Sequence, residues 1–415
     1  MSTETNSIYI IEKRSIVKWL FTGAMLLSVY GSMYTWFLLP IVPYYHIFAG
    51  MLLMGAFAID RTLEEPFFSR QDYLLPLAAY LLLATYLAIS NSKTLFGFIA
   101  IAFHAIIFMA IFKAGIQQLK EFSDILAKSL GIILVPSLFF FMLYILGWGL
   151  PSSDLVYNDY FYSFTNYYFF LIDDRQLFAF IPRFQSVFFE PGYLGGFGVI
   201  ILMSQHGKWR KWYNTTILAA VLLSFSLGAY VYLFFVLFLN VWRKRKKFAR
   251  NLLITIGVIT VFTIGVFNYN NGDNLIHDLI MLRLEVEDGK LAGDNRVTDS
   301  FDADYENYLQ SSDIIFGKDK DEEFGDSGYK VFFYENGLVG IVLLVCFFAV
   351  VGIYARDRRS AISAWIITFL IFIVDAFVLW YGRFLPLYCT AYCEDDLADT
   401  SPQEENTNTN DNEQS

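Results

Sequence analysis

What most constrains this 415-residue chain is a series of long apolar runs separated by short basic loops. A helix needs about 20 apolar residues to cross a bilayer core, with roughly 17 to 25 tolerated. Such runs cover Ile16–Leu39, Val42–Ile59, Tyr73–Ile89, Thr94–Phe112, Leu130–Gly147, Leu252–Tyr269, Gly337–Tyr354 and Ala361–Tyr381. Tyr193–Ser204 is shorter, and reaches spanning length if Phe188–Pro191 enters the membrane. Thr215–Trp242 is longer than one span and breaks at residues 224–228, Ser-Phe-Ser-Leu-Gly, which reads as a tight hairpin of two short helices. The expected fold is an all-α integral membrane protein, a polytopic bundle of about 11 (roughly 10 to 12) transmembrane helices with two long outer loops. Composition agrees. Only 17% of residues are charged, against about a quarter in soluble domains, and 43 Phe and 27 Tyr suit lipid-facing helices and the headgroup interface.

The runs divide the chain into N-terminal helices over 1–149, a first outer loop over 150–190, central helices over 191–269, a large outer loop over 270–333, and C-terminal helices over 334–381. Residues 394–415 form an acidic tail of low complexity, too polar to bury a core, which reads as disordered. Net charge is −10, but the tail alone holds eight acids and no base, so the body of the chain implies no basic partner and no nucleic acid. The first apolar run is too long for a cleavable signal peptide and lacks a small-residue cleavage site. Cys389 and Cys393 make a Cys-x3-Cys pair with no His nearby, a weak metal signal. No repeat of period 20 to 50 residues and no inverted repeat is visible.

Lys and Arg in short loops set orientation. With the N-terminus in the cytoplasm, cytoplasmic segments carry 20 of the 30 Lys and Arg residues, and the short outer loops carry only Lys93. The two flanks of the hairpin, Gly-Lys-Trp-Arg-Lys and Arg-Lys-Arg-Lys-Lys, both fall inside, which puts the break at residues 224–228 at the outer end. In the large outer loop, Leu275, Leu279, Leu282 and Val286 make one apolar stripe, read as an interfacial helix.

An ionisable residue at membrane depth is a functional hypothesis by default. The spanning runs are nearly free of them; His104 and Asp375 are two, and the plain reading of each is a hydrogen-bonded residue facing the bundle interior. The polar groups concentrate instead at the outer rim, in three constellations. Arg183 and Glu190 frame Phe-Gln-Ser-Val-Phe-Phe ahead of Pro191 and glycines 192, 195, 196 and 198. Pro191 suits a first helical turn, and Glu190 then sits at the positive end of a helix dipole. The glycines allow another backbone or a lipid chain to approach. Asp294-Asn295-Arg296 precedes Ser311-Ser-Asp313-Ile-Ile-Phe-Gly317, and Gly325-Asp326-Ser327-Gly328-Tyr329-Lys330 leads into Tyr334-Glu335-Asn336-Gly337. Arginines at such a rim suit a phosphate or pyrophosphate, to which guanidinium forms bidentate bonds. The competing readings are an interfacial Arg–Glu pair that anchors a helix, and solvated loop charges with no role. Asp302-Ala-Asp304 and Asp319-Lys-Asp321-Glu-Glu look like metal motifs but lack the context of either a nucleotide-binding domain or a calcium loop. There is no P-loop, GxSxG or HExxH.

At these constellations the chain resembles the O-antigen polymerase and ligase superfamily, most closely its exopolysaccharide and capsule polymerases (Wzy type). The resemblance is carried by R-x6-E-P-G before a glycine-rich helix, the split helix pair around SFSLGAY, Arg296 upstream of IIFG, and GDSGYKVFFYENGLVG. It spans roughly 183–348. It implies a GT-C-like, metal-independent glycosyltransferase without cofactor, multi-pass in the plasma (inner) membrane, with large loops periplasmic or extracellular. Its substrate would be an oligosaccharide on undecaprenyl pyrophosphate, delivered within the membrane lipid and joined at the outer face into O-antigen, capsule or exopolysaccharide. A regulator of chain length is the protein partner it admits. By position, Arg296, Asp326, Tyr329 and Lys330 are expected near the outer surface, lining a substrate cavity with Arg183 and Glu190; the resemblance gives Arg183 and Arg296 the pyrophosphate, and Glu190, Asp326 and Arg296 catalytic roles, one of the acids being the general base. Ligases carry an Arg where this chain has Leu227-Gly228 and a His where it has Asp326, which favours the polymerase branch. The alternatives are a transporter or flippase of lipid-linked glycan, and an O-antigen ligase.

The topology is open to direct test. With the three native cysteines replaced, a cysteine placed at Asn274 is expected to react with an impermeant maleimide in intact cells. One placed at Lys246 is expected to react only after permeabilisation.

Overall fold

The computed structural model describes residues 2–90, 94–157, 162–176, 182–243, 248–268, 286–287, 290–291, 298–318, 328–355, 357–374, 379 and 381–392. Long apolar runs without interior Pro or Gly clusters make helices, and helices dominate: α1 (Ser2–Ser32), α2 (Tyr45–Asp60), α3 (Leu74–Ser90), α4 (Leu95–Lys113), α5 (Ile116–Ile145), α6 (Pro191–Ser204), α7 (Trp212–Leu223), α8 (Leu227–Arg243), α9 (Phe248–Asn268), α10 (Asp299–Leu309), α11 (Gly328–Ile353), α12 (Arg358–Val374) and α13 (Tyr381–Tyr392). Among the described residues, four stretches are long and apolar enough to cross a membrane: Trp36–Asp60, Leu95–Lys113, Ile116–Ile145 and Gly328–Ile353. Shorter apolar helices accompany them, α3, α6, α7 and α8. Leu82, Phe139, Val345 and Phe369 stand exposed on α3, α5, α11 and α12. Large apolar side chains exposed on several helices suit contact with acyl chains.

Element boundaries differ from the apolar runs in several places: α1 begins at Ser2 rather than Ile16, α5 at Ile116 rather than Leu130, and α11 at Gly328 rather than Gly337. α1 stops at Ser32, and a 3-10 helix over Trp36–Tyr44 carries Pro40 and Pro43 into α2. Proline removes the donors that a continuing α-helix needs. The run Ala361–Tyr381 holds two elements: α12 ends at Val374, and α13 begins where the run was expected to stop. The segment between α5 and α6, expected to be an outer loop, contains a small antiparallel meander, β1 (Ser153–Tyr157), β2 (Tyr162–Asn166) and β3 (Leu171–Asp173), with Leu155 opposite Phe164 and Phe164 opposite Asp173. Phe164, Leu171 and Phe189 form a separate core beneath it. Val286, expected on an interfacial helix, lies instead in a two-residue strand paired with Lys290–Leu291. The other residues of that stripe, Leu275, Leu279 and Leu282, lie outside the described residues, as do Lys93, Asp375, Cys393 and the acidic tail.

The bundle has two distinct ends. At one, here the basic end, Arg14 pairs with Glu65 at 3.2 Å and Lys18 with Glu121 at 2.7 Å. The meander marks the other, the sheet end. α6 runs between them, packed on α7, α8 and α13. Its glycines make this possible: a Cβ on Gly195 would lie 2.5 Å from Ala229 Cβ, and one on Gly198 2.7 Å from Val221. These two therefore seat neighbouring helices, whereas a Cβ on Gly192 or Gly196 would meet nothing nearer than 3.9 Å.

α11 is broken at Gly337 (φ 61°, ψ −171°), a conformation that is essentially confined to glycine. The Ile314-Ile315-Phe316-Gly317 loop fills the break. Val339 N–H donates to Ile315 O at 3.1 Å, and Lys318 N–H donates to Tyr334 O at 2.8 Å. From α3, the Tyr86 hydroxyl donates to Asn336 O at 2.8 Å and Ser90 Oγ donates to Glu335 O at 2.6 Å. Both strained glycines face the contact: a Cβ on Gly337 would lie 2.5 Å from Gly317 N and Ile315 O. Gly337→Ala is expected to destabilise by roughly 3 kcal/mol or more, from strain plus overpacking. Gly23→Ala, with nothing within 4 Å of the new methyl, is expected to be neutral or stabilising. Unfolding in neutral detergent compares the two.

Candidate functional site

The sheet end of α6 is where the sequence-derived candidates meet the fold. Pro191 opens the helix, and Glu190 is its N-cap, in extended backbone (φ −135°, ψ 143°). The Glu190 carbonyl accepts from Tyr193 N–H at 3.1 Å, but its side chain makes no capping bond. The half-buried carboxylate thus sits at the positive end of a helix dipole without being consumed by the helix itself.

The stretch before it, residues 183–190, threads the bundle in irregular form. A buried irregular strand must find partners for its backbone groups, and this one finds them on three sides. Phe184 N–H donates to Leu223 O at 3.0 Å, Trp36 N–H donates to Val187 O at 3.1 Å, and Leu171 N–H donates to Ser186 O at 2.9 Å. Phe184 and Phe188 are fully buried and pin it. Arg183 stands where α7 gives way to α8. Its Nε donates to the carbonyl of Ser224, the C-cap of α7, at 3.3 Å. A cation is favoured there, since the last carbonyls of a helix lack intrahelical N–H donors. The chain break read at residues 224–228 is therefore the place that fixes this guanidinium.

Three polar atoms around the same stretch are buried and have no hydrogen-bond partner: Trp36 Nε1, Gln185 Nε2 and Ser186 Oγ. Leaving such a group unmatched costs about 1–3 kcal/mol. Ser186 is also strained, with φ 52°. Two of the three lie between Arg183 and Glu190 in sequence, and the third belongs to the residue whose backbone bonds that stretch. All three can donate, so together with Arg183 they suit an anionic, oxygen-rich ligand.

Comparison with family models, with curated proteins and with solved structures finds no match to this chain.

A further cation was not singled out from the sequence. Arg383, on α13, is buried, with its guanidinium 5.9 Å from the ring centre of Tyr193 in the first turn of α6. α13 is held at this end by Gly382, whose N–H donates to Ser32 Oγ at 2.9 Å. The signal was present in the sequence: a lone Arg between Tyr381-Gly382 and Phe384-Leu385 is costly in apolar surroundings unless it is used.

Lys330 and Tyr329 belong to a different grouping. Lys330 Nζ lies 2.9 Å from Asp302 Oδ1 and 5.6 Å from the centre of the Tyr305 ring. The Asp302-Ala-Asp304 pattern thus serves an ion pair between α10 and α11, and no cluster of three metal-ligating side chains exists among the described residues. Phe301, Tyr308, Val331 and Tyr334 form a small core under this pair. Burial pushes the Tyr308 hydroxyl up to about 12, and it donates to Phe333 O at 2.7 Å. Tyr329 is exposed. α11 packs on α3 and α12, while Arg183 and Glu190 belong to the α6–α8 group. Arg296 and Asp326 lie outside the described residues. His104 sits among rings, 4.8 Å from His46 and 5.5 Å from Tyr381 between centres.

Lys330→Gln is expected to destabilise by no more than about 1 kcal/mol, as for a partly exposed ion pair. The exchange Lys330→Asp with Asp302→Lys is expected to recover most of the loss. Proteolysis of the α10–α11 segment in both variants reads this out.

Proposed function

We propose that this chain is a glycan polymerase that joins oligosaccharide repeat units carried on undecaprenyl pyrophosphate, at the outer face of the plasma membrane. The observation that carries the reading is the cluster of donors around residues 183–190. Arg183 is held at a helix break, and buried Trp36 Nε1, Gln185 Nε2 and Ser186 Oγ lack partners. Glu190 closes the stretch with a carboxylate uncommitted to capping. Fixed donors of this kind suit the charge that develops on a departing pyrophosphate, and the resemblance of R-x6-E-P-G to polymerases of lipid-linked glycans points the same way.

In this reaction a hydroxyl oxygen of the acceptor glycan attacks the anomeric carbon of the lipid-linked glycan. The bond from that carbon to the pyrophosphate oxygen breaks, the bonding pair leaves with undecaprenyl pyrophosphate, and the hydroxyl proton passes to a carboxylate. Glu190, the N-cap residue of α6, is assigned the base. Arg183 and Arg383 neutralise the leaving group, joined by Arg296, and Asp326 is the second acid of the motif set. The donor carries its own activated linkage, so the chain's part is to position, to neutralise charge and to move one proton.

The glycan profile of cells lacking the chromosomal copy tests this. Arg183→Ala, Arg296→Ala and Glu190→Gln are expected to abolish long-chain polysaccharide while lipid-linked single units accumulate and the protein is retained in the membrane. Removing one such donor typically reduces turnover by about 100- to 1,000-fold. Normal chain lengths in the two arginine variants would overturn the proposal, and absence of lipid-linked units from the outer leaflet would favour transport.

A further inference from the structure

The end of α7 presents three successive carbonyls, those of Leu222, Leu223 and Ser224, and each is met by a donor from outside the helix. Phe184 N–H donates to Leu223 O at 3.0 Å, and Arg183 Nε donates to Ser224 O at 3.3 Å. The third donor belongs to α8: the Tyr230 hydroxyl donates to Leu222 O at 2.5 Å. A carbonyl at a helix end in apolar surroundings has no water to turn to, so each of these bonds holds the end in place.

The local fold explains why Tyr230 supplies it. Side chains of a helix lean toward its N-terminus. Tyr230 stands in the first turn of α8, where its N–H donates to Ser226 O at 3.1 Å, so its half-buried ring leans back over the turn from which α8 starts. A hydrogen bond with the Phe225 backbone reaches the same hydroxyl, and the Arg183 charge acts on it. Phe225 is left-handed (φ 45°), a conformation that a residue other than glycine keeps only when its surroundings impose it. Tyr230 thus grips the strained residue and the helix end before it. α6 closes another side: a Cβ on Gly195 would lie 3.0 Å from Ser224 Oγ and 3.4 Å from Ser226 Cβ. The turn that carries the Ser224 carbonyl is therefore clamped by the first turn of α8, by residues 183–184 and by α6.

We propose that Tyr230 is a positioning residue: its hydroxyl locks the α7–α8 turn so that the Ser224 carbonyl holds the Arg183 guanidinium in one place. That this bears on turnover rests on the polymerase reading above; that it fixes Arg183 does not.

Exchange of the Arg183 Nε proton with water gives the first readout, on full-length protein in neutral detergent carrying isotope-labelled arginine. The signal is assigned by its absence from Arg183→Lys. Native protein is expected to protect this proton, and Tyr230→Phe to speed its exchange roughly 10-fold, as for a turn loosened by one hydrogen bond. Tyr213→Phe, which loses a hydroxyl bond to Asp124 at the basic end, is expected to leave it unchanged. Equal protection in Tyr230→Phe and native protein would overturn the proposal. The second readout is release of undecaprenyl pyrophosphate in liposomes supplied with isolated lipid-linked repeat units. Tyr230→Phe is expected to lower kcat roughly 10- to 100-fold with KM little changed. In an Arg183→Ala background the same substitution is expected to do nothing further, because it acts through the arginine. Equal factors in the two backgrounds would make Tyr230 a support of the fold alone and sink its role in turnover. Lost Arg183 protection in Tyr230→Phe together with full turnover in Arg183→Ala would overturn the polymerase reading and leave the positioning of Arg183 standing.

Discussion

A helix broken inside an apolar bundle exposes carbonyls and N–H groups that no water reaches, and each must be given a partner. Much of this structure follows from how two such breaks are repaired. At Gly337 the repair comes from the 314–317 loop and from Tyr86 and Ser90 of α3. Between α7 and α8 it comes from Phe184 N–H and the Arg183 guanidinium, which meet the carbonyls of Leu223 and Ser224. In both places a segment distant in sequence is drawn into the bundle because it carries the missing hydrogen bonds. The breaks thus decide which loops come close, and hence which polar side chains share a neighbourhood.

That logic separates what was legible in the sequence from what was not. Apolar run length places the long helices, and Glu190-Pro191 marks the start of α6, because an N-cap followed by proline is a local signal. The interruption at Ser224–Ser226 is local too. By contrast, that Ile315-Phe316-Gly317 and Asn336-Gly337 are the two halves of one contact depends on pairing across about twenty residues, and each half alone looks like an ordinary turn. The meander in the first outer loop was hidden for another reason. Its aromatic residues fit an interfacial loop as well as a strand, and the alternation of Ser163 and Thr165 with Phe164 is short. Arg383 was missed because the last apolar run merges into α13 without a turn signal strong enough to end it.

The repair at the α7–α8 break also bears on chemistry. An arginine whose Nε is tied to a helix C-terminal carbonyl keeps its guanidinium in one place, with side-chain entropy already lost on folding. Arg383 is fixed in a different way, by burial on α13 beside Tyr193. Two cations are thus held in place by independent elements of the fold.

α6 connects the two ends of the molecule physically. At the sheet end it carries Glu190, and at the basic end Ser204 and Gln205 line a cavity. Fourteen residues separate the caps, roughly 21 Å at helical rise. Gly195 and Gly198 press α6 against α7 and α8 so closely that an added methyl would have no room, and close-packed helices move as a unit rather than bending independently. Gln205 at one cap and Glu190 at the other therefore belong to one closely packed group of helices.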